Sequence, residues 1–368
     1  MNLDDISQFS RIDTQDMLSE IDGLPGQLQA AWDLGQKLSL PEWKDIRYVL
    51  VAGMGGSAIG ADLLGAYVAP TCPVPVVTHR NYDLPAWAKG PETLVIASSH
   101  SGNTEETLSA YEDAIEKGCR VLVVTTGGQL ADGAKKAGAS LWQFEHKGQP
   151  RAAVGYSFGL LLAAVHRLGL IPNPESDLRG AISAMRAQQE SLRVDSPAVQ
   201  NMAKRVAGQL YGRWVVVMAA DILEPVARRW KGQISEIAKA WGQFEFLPES
   251  DHNTLAGLFN PEEVLQNTIV LFLRAPSYHP RNQLRTELTK RAFMLEGLNT
   301  DFIEAQGDSP LAHLWTALHF GDYTAYYLAM AYGVDPTPVE AIESFKQEMH
   351  QGGQTLKQLD NRQSHHQA

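Results

Sequence analysis

Cysteine is nearly absent. Only Cys72 and Cys119 occur in 368 residues, with no CxxC spacing, so a disulfide framework is excluded and a zinc site gains no support. Both read as ordinary buried thiols. Long apolar runs are missing as well. No stretch approaches the roughly 18 consecutive apolar residues of a membrane span. The opening MNLDDISQFSRIDTQDML carries early acids where a targeting sequence would have an apolar core. The expectation is a soluble, cytoplasmic protein with no membrane partner. Positive charge is also in deficit, with a formal net charge of −11. That argues against nucleic acid, whose phosphates are bound by clustered Lys and Arg. A small anion stays open, provided local donors hold it rather than global charge.

What is present is core-forming residue: 44% of the chain is hydrophobic, and its length predicts two domains. Apolar positions at helical spacing (Met17, Ile21, Leu24, Leu28, Trp32, Leu34, Leu38) predict one or two N-terminal helices, interrupted at Pro25. From Tyr48 a strand, turn, helix grammar repeats through YVLVAG, VPVVTH, TLVIAS, RVLVVTT and SLWQFE. Such short Val/Ile/Leu runs without polar alternation signify parallel strands covered on both faces, hence a doubly wound sheet. After a break at Asp195, Ser196 and Pro197 the grammar restarts with WVVVMAA, a helix from about Ile222 to Trp241, FEFLP, NTIVLFLRA, a helix from about Asn282 to Glu296, and TDFIEAQ. Two α/β domains are therefore expected over 1–195 and 196–351, with a polar tail over 352–368.

Two strand-to-helix turns are rich in donors. In AGMGGSAIG, Gly53, Gly55 and Gly56 allow a tight turn and close approach of a ligand, and Ser57 is placed to cap the next helix. A phosphate suits such a helix start. Gly53, Gly55 and Ala58 also come near a dinucleotide fingerprint, but the following strand ends VVTHRNYDLP without the required acid. Arg80 facing a 2′-phosphate keeps a nicotinamide-dependent dehydrogenase as an alternative. The second turn runs SSHSGNT, from Ser98 to Thr104. Asn103 and Glu106 have capping-box spacing, yet capping accounts for one polar group and not for Ser99, Ser101 and Thr104 together. Hydroxyls beside helix N–H groups form an uncharged phosphate cradle.

GMGGSAIG, HRNYDLP, SSHSGNTEET, QPRAAVGYS, KGQISEIAKAW, LPESDHN and GVDPTPVEAIESFK, in this order, resemble the bifunctional phosphoglucose/phosphomannose isomerases of the sugar isomerase (SIS) superfamily. The resemblance implies two SIS-type domains, each a doubly wound, mostly parallel sheet flanked by helices. It also implies interconversion of glucose 6-phosphate and mannose 6-phosphate with fructose 6-phosphate, without metal or cofactor. By resemblance, Ser99, Ser101 and Thr104 bind the phosphate, with Gly56 and Ser57 close to the sugar. Glu236 is the base, Arg151 lies near the reacting carbons, and Lys346 assists. His252 opens the ring and reaches the site from the partner of a homodimer. The chain departs from the family pattern at His100, where an aromatic or aliphatic residue is more usual.

These residue types suit an aldose-ketose isomerase. A carboxylate can move a proton between C2 and C1, an imidazole can open the ring, and a guanidinium can hold enediolate charge. Each has a plainer rival reading. Glu236 fits an exposed helix position paired with Lys231 or Lys239, Lys346 a helix-end dipole partner and Arg151 a surface residue after Pro150. His313 and His319 fall at helical spacing and read as packing or surface residues. A sugar-phosphate sensor without turnover is a further alternative, although no DNA-binding extension accompanies it.

Overall fold

The computed structural model describes residues 2–349 and 351–352. Among these, nine strands form two sheets. β1 (Tyr48–Ala52), β2 (Val76–His79), β3 (Thr93–Ser99), β4 (Arg120–Thr125) and β5 (Ser140–Gln143) lie in the order β2-β1-β3-β4-β5. β6 (Trp214–Ala220), β7 (Gly242–Leu247), β8 (Thr268–Arg274) and β9 (Asn299–Glu304) lie in the order β7-β6-β8-β9. Every pairing is parallel. In the first sheet the chain order reverses at β1 and β3, and in the second at β6 and β8. At such a point the loops beyond the strand ends part and leave a crevice.

The unbroken apolar strands fill both faces. Val49, Val51, Leu94, Ile96, Leu122 and Val124 enter the main core, while their neighbours Leu50, Ala52, Val95, Ala97, Val121 and Val123 enter a second one. Helices Gly55–Val68 and Val154–Arg167 contribute to the first, and helices Glu105–Glu116 and Gly128–Ala137 to the second. In the other sheet, Val215, Val217, Ile269 and Leu271 join that same main core. Met218, Val270 and Phe272 pack instead with Phe293 of helix Pro280–Leu295. One continuous apolar cluster thus holds residues of both sheets.

Element boundaries follow local chemistry. The N-terminal pattern is interrupted as expected, into helices Met17–Asp22 and Leu24–Lys37, and Pro25 lies in the first turn of the second, where the missing N–H would have no helical partner. The helix expected over 222–241 is shorter, Glu224–Glu236, preceded by a 3-10 turn at Asp221–Leu223. Pro225 sits in its first turn, and just beyond its end Lys239 takes a left-handed φ of 53°. The tail expected over 352–368 lies, from 353 on, outside the described residues.

Helix Pro310–Tyr332 is buried from Leu311 to Met330 and carries a single acid, Asp322. Asp322 accepts from Arg229 Nη2 at 2.6 Å, from Arg229 Nε at 3.1 Å and from Gln233 Nε2 at 3.0 Å. Removing one member leaves a buried charge unpaired. Asp322→Ala is expected to lower unfolding free energy by about 3–5 kcal/mol in urea titration; a loss under about 1 kcal/mol, the range of a surface pair, would contradict this.

Candidate active site

The first turn is built by close backbone approach. A β-carbon on Gly53 would stand 2.7 Å from Ser98 O, and one on Gly56 would stand 2.7 Å from Pro150 O. The turn after β1 is thereby clamped between β3 and the segment carrying Arg151. Ser57 does not cap the helix. Helix Gly55–Val68 begins one turn earlier than that role needs, with Met54 at the cap and no side-chain cap bond. Ser57 is buried within the first turn, and its amide donates to Met54 O at 3.1 Å. The amides of Gly55 and Gly56 precede the first helical bonds and remain available to an anion.

The capping box expected of Asn103 and Glu106 is absent too. Thr104 is the cap residue of helix Glu105–Glu116, without a side-chain cap bond, and Asn103 Oδ1 accepts from Gln129 N at 3.1 Å instead. The hydroxyls associate with each other and with the turn. Ser99 Oγ lies 2.9 Å from Thr104 Oγ1 and accepts from Gly102 N at 3.1 Å. Ser101 Oγ accepts from Asn103 N at 3.2 Å and is exposed. Gly102 has a φ of 68°, and a β-carbon there would overlap Gly127 O, so the turn after β4 braces this one.

Arg151 and Glu236 meet across the two halves. Arg151 is 4% exposed. Its Nη2 donates to Pro336 O at 2.8 Å and to Thr337 O, and Nη1 stands 3.8 Å from Glu236 Oε2. Burial pulls its pKa below the usual range, opposed chiefly by the Glu236 charge. Arg229 Nη2 donates to Arg151 O at 3.1 Å, so the Asp322 pair fixes the arginine segment as well. Glu236 closes its helix, facing the negative end of the helix dipole, and Arg151 supplies the opposing charge. Lys239 makes no side-chain pair with Glu236. Its Nζ donates to Glu236 O at 2.6 Å, which satisfies an orphan carbonyl at the helix end. Burial, and secondly the nearby Arg151, push the Lys239 ammonium pKa down.

Gly56, Arg151 and Glu236 line one cavity of about 250 Å³, together with Arg229 and Gln233. Ser57, Ser99, Ser101 and Thr104 form the adjoining turns and are not in its wall. A larger hollow of about 770 Å³ is lined by Asp62, Asp177, Asp221 and Glu224 as well as Arg80 and Arg228, a poorer setting for an anion. His252 and Lys346 stand apart, both exposed, and neither lines the cavity. Arg80, the residue on which a dinucleotide reading leaned, is paired with Asp62. His313 and His319 are buried packing residues. Sequence reasoning missed Arg229, Gln233 and Asp322, and named Lys239 only as a helix pair for Glu236. Two signals were there: Arg229, Gln233 and Glu236 recur at one-face helical spacing, and Asp322 is the lone acid of an apolar helix.

Two doubly wound parallel sheets on a shared core, with a hydroxyl-lined turn at one switch point, define a double SIS-domain protein. The family model for the bacterial phospho-glucose isomerase C-terminal SIS domain matches residues 199–349. A bifunctional phosphoglucose/phosphomannose isomerase of Caldicellulosiruptor bescii is 37% identical over 337 residues, 90% of this chain and 98% of that one. The Aquifex aeolicus protein of the same name is 33% identical, covering 84% and 94%. A hypothetical protein from Thermus thermophilus shares the fold at a TM-score of 0.70 and 16% identity, covering 93% of this chain and 91% of that one. The chain belongs to the bifunctional phosphoglucose/phosphomannose isomerase family.

Gly56→Ala is expected to destabilise the protein by about 1–3 kcal/mol, because Pro150 O cannot yield without moving Arg151. Gly180→Ala, in helix Glu175–Leu192 with nothing within 4 Å of the added carbon, is expected to be neutral or stabilising by up to about 1 kcal/mol. Equal effects in thermal unfolding would contradict the close approach at Gly56.

Proposed function

We propose that this chain interconverts glucose 6-phosphate and mannose 6-phosphate with fructose 6-phosphate, using Glu236 as the base. The observation carrying this reading is the Arg151–Glu236 pair over Gly56, beside a turn of uncharged phosphate donors. Glu236 removes the C2 proton of the open-chain aldose and delivers a proton to C1 of the resulting cis-enediolate, while the O2 hydroxyl proton passes to O1, leaving the carbonyl at C2. Arg151 Nη1, whose acceptors within the chain are distant at 3.5 Å and 3.8 Å, takes the developing oxyanion charge. The slack in that ion pair leaves the carboxylate free to turn to the substrate. Glucose and mannose differ at the carbon that becomes planar in the enediolate, so one base serves both. Ser99, Ser101, Thr104 and the amides of Gly55 and Gly56 hold the phosphate, and Ser57 lies near the sugar.

His252 belongs to this scheme as the ring-opening group of a partner subunit. Neighbouring Asp251 accepts from Arg285 at 2.8 Å and Thr289 at 2.6 Å, which seats the His252 turn on helix Pro280–Leu295. Along that helix Leu284, Leu288 and Leu295 are exposed at same-face spacing, an apolar stripe suited to a second copy. Lys346 sits on the 340–349 helix, whose Ile342, Phe345 and Met349 are exposed. Residues 338–342 face Glu236 and Lys239 across a hollow of about 690 Å³, so an inward shift of that helix would bring Lys346 toward the sugar.

Glu236→Gln is expected to lower turnover on both aldose phosphates by roughly 10²–10⁴-fold; near wild-type rates would refute the assignment. Mixing Glu236→Gln chains with His252→Ala chains tests the dimer. A crossed site predicts recovery to about a quarter of wild-type activity, since half the dimers are mixed and each regains one site. No recovery in demonstrably mixed dimers would place His252 in its own chain's site, and full activity of His252→Ala before mixing would place it outside catalysis.

A further inference from the structure

His100 interrupts the hydroxyl turn between Ser99 and Ser101, and its ring is built into a chain of hydrogen bonds. Its Nε2 lies 3.0 Å from His146 Nδ1, and His146 Nε2 lies 3.1 Å from Glu20 Oε2. The direction of these bonds follows from the acceptor at the end. A carboxylate can only accept, so His146 Nε2 carries a proton; in neutral His146 the Nδ1 then accepts, and His100 Nε2 donates. Burial, and then the neighbouring His146, hold the His100 pKa down to about 4. At neutral pH the ring is therefore an uncharged donor rather than a cationic phosphate ligand.

Three separate segments meet in this chain. His100 belongs to the turn after β3, and Glu20 comes from helix Met17–Asp22. His146 lies on the segment that leads from β5 to Arg151. Gly148 permits the approach, because a β-carbon there would overlap the Glu20 carboxylate. Phe144 packs edge-on to His100 at 6.0 Å and stacks on Tyr156 at 4.9 Å. The His100 backbone is held too, its carbonyl accepting from Thr126 N at 3.1 Å and Thr126 Oγ1 at 2.7 Å.

We propose that the Glu20–His146–His100 chain is a positioning relay that holds Ser99 and Ser101 in the phosphate-binding arrangement and fixes that turn relative to the Arg151 segment. The proposal rests on the assignment of the hydroxyl turn to phosphate. Uncharged donors bind an anion well only if they are ordered beforehand, since ordering them on binding would consume much of the gain. A half-buried histidine that merely packs would serve as well with its polar atom removed and its volume kept.

The test compares His100→Leu, His100→Gln and Ser99→Ala with wild type, using KM and kcat for fructose 6-phosphate and competitive inhibition by inorganic phosphate. Gln places an amide N–H near the position of Nε2. His100→Leu is expected to raise KM and the phosphate inhibition constant together by up to about 10-fold, the upper end of one uncharged hydrogen bond, with kcat falling less than about 3-fold. His100→Gln is expected to recover most of the loss. Equal impairment of the Leu and Gln variants, or a loss confined to kcat, would overturn the relay. If Ser99→Ala weakens phosphate binding and His100→Leu does not, the relay alone is wrong. If Ser99→Ala also leaves both constants unchanged, the phosphate assignment falls and the relay with it.

Discussion

A guanidinium taken out of water needs acceptors, and Arg151 finds those for its two terminal nitrogens largely from across the molecule, while its buried Nε is left without a partner. The carbonyls of Pro336 and Thr337 take Nη2, and Glu236 stands opposite Nη1. Its own carbonyl is gripped by Arg229, itself neutralised by Asp322 inside an apolar helix. Each of these four contacts to Arg151 joins the first half of the chain to the second. The ion pair at the centre is long, at 3.8 Å, while the contacts that fix the arginine, from Nη2 to Pro336 O at 2.8 Å and from Arg229 to Arg151 O at 3.1 Å, are short and buried. That combination is what an active site needs from a scaffold: a fixed arginine, and a carboxylate that is held near it without being locked to it.

The two sheets divide the work accordingly. The first supplies the turns after β1 and β3, where glycine contacts and hydroxyls form the surface proposed to hold the phosphate. The second supplies the helix that ends in Glu236, stopped in place by the left-handed Lys239 and its bond to the Glu236 carbonyl. On the proposed assignment, substrate contacts on one sheet and chemistry on the other require the two to be rigidly joined, and one apolar cluster runs through both. The stability of that core and the accuracy of the site are one property here.

The strands were legible because apolar runs without polar alternation leave little choice but a doubly covered parallel sheet. The surplus of hydroxyls after β3 was legible for a similar reason, as capping uses one and the turn holds three. Capping itself was misread at Ser57 and Asn103: the helix started earlier than the first could serve, and the second was drawn to the Gln129 amide on the next turn. Glu236 could not be singled out by spacing, since a helix-terminal acid becomes special only when Arg151 arrives from 85 residues away. The partners of Asp322 and the His146–Glu20 contact were hidden likewise by sequence separation, although Asp322 itself stands out as the lone acid of an apolar helix. His100 was visible as an oddity, but its meaning lay in partners that only folding brings together.

The central claim is that one carboxylate carries a proton between C2 and C1 of an open-chain sugar. The most direct measurement is isomerisation of fructose 6-phosphate in deuterated water, with the aldose products read by mass and proton resonance. Proton abstraction by Glu236, whose part-exposed carboxyl exchanges its proton with solvent before giving one back, predicts deuterium at C2 of both glucose and mannose 6-phosphates. Products formed at full rate without any solvent label would mean a hydride shift, and the account of Glu236 and Arg151 would be wrong.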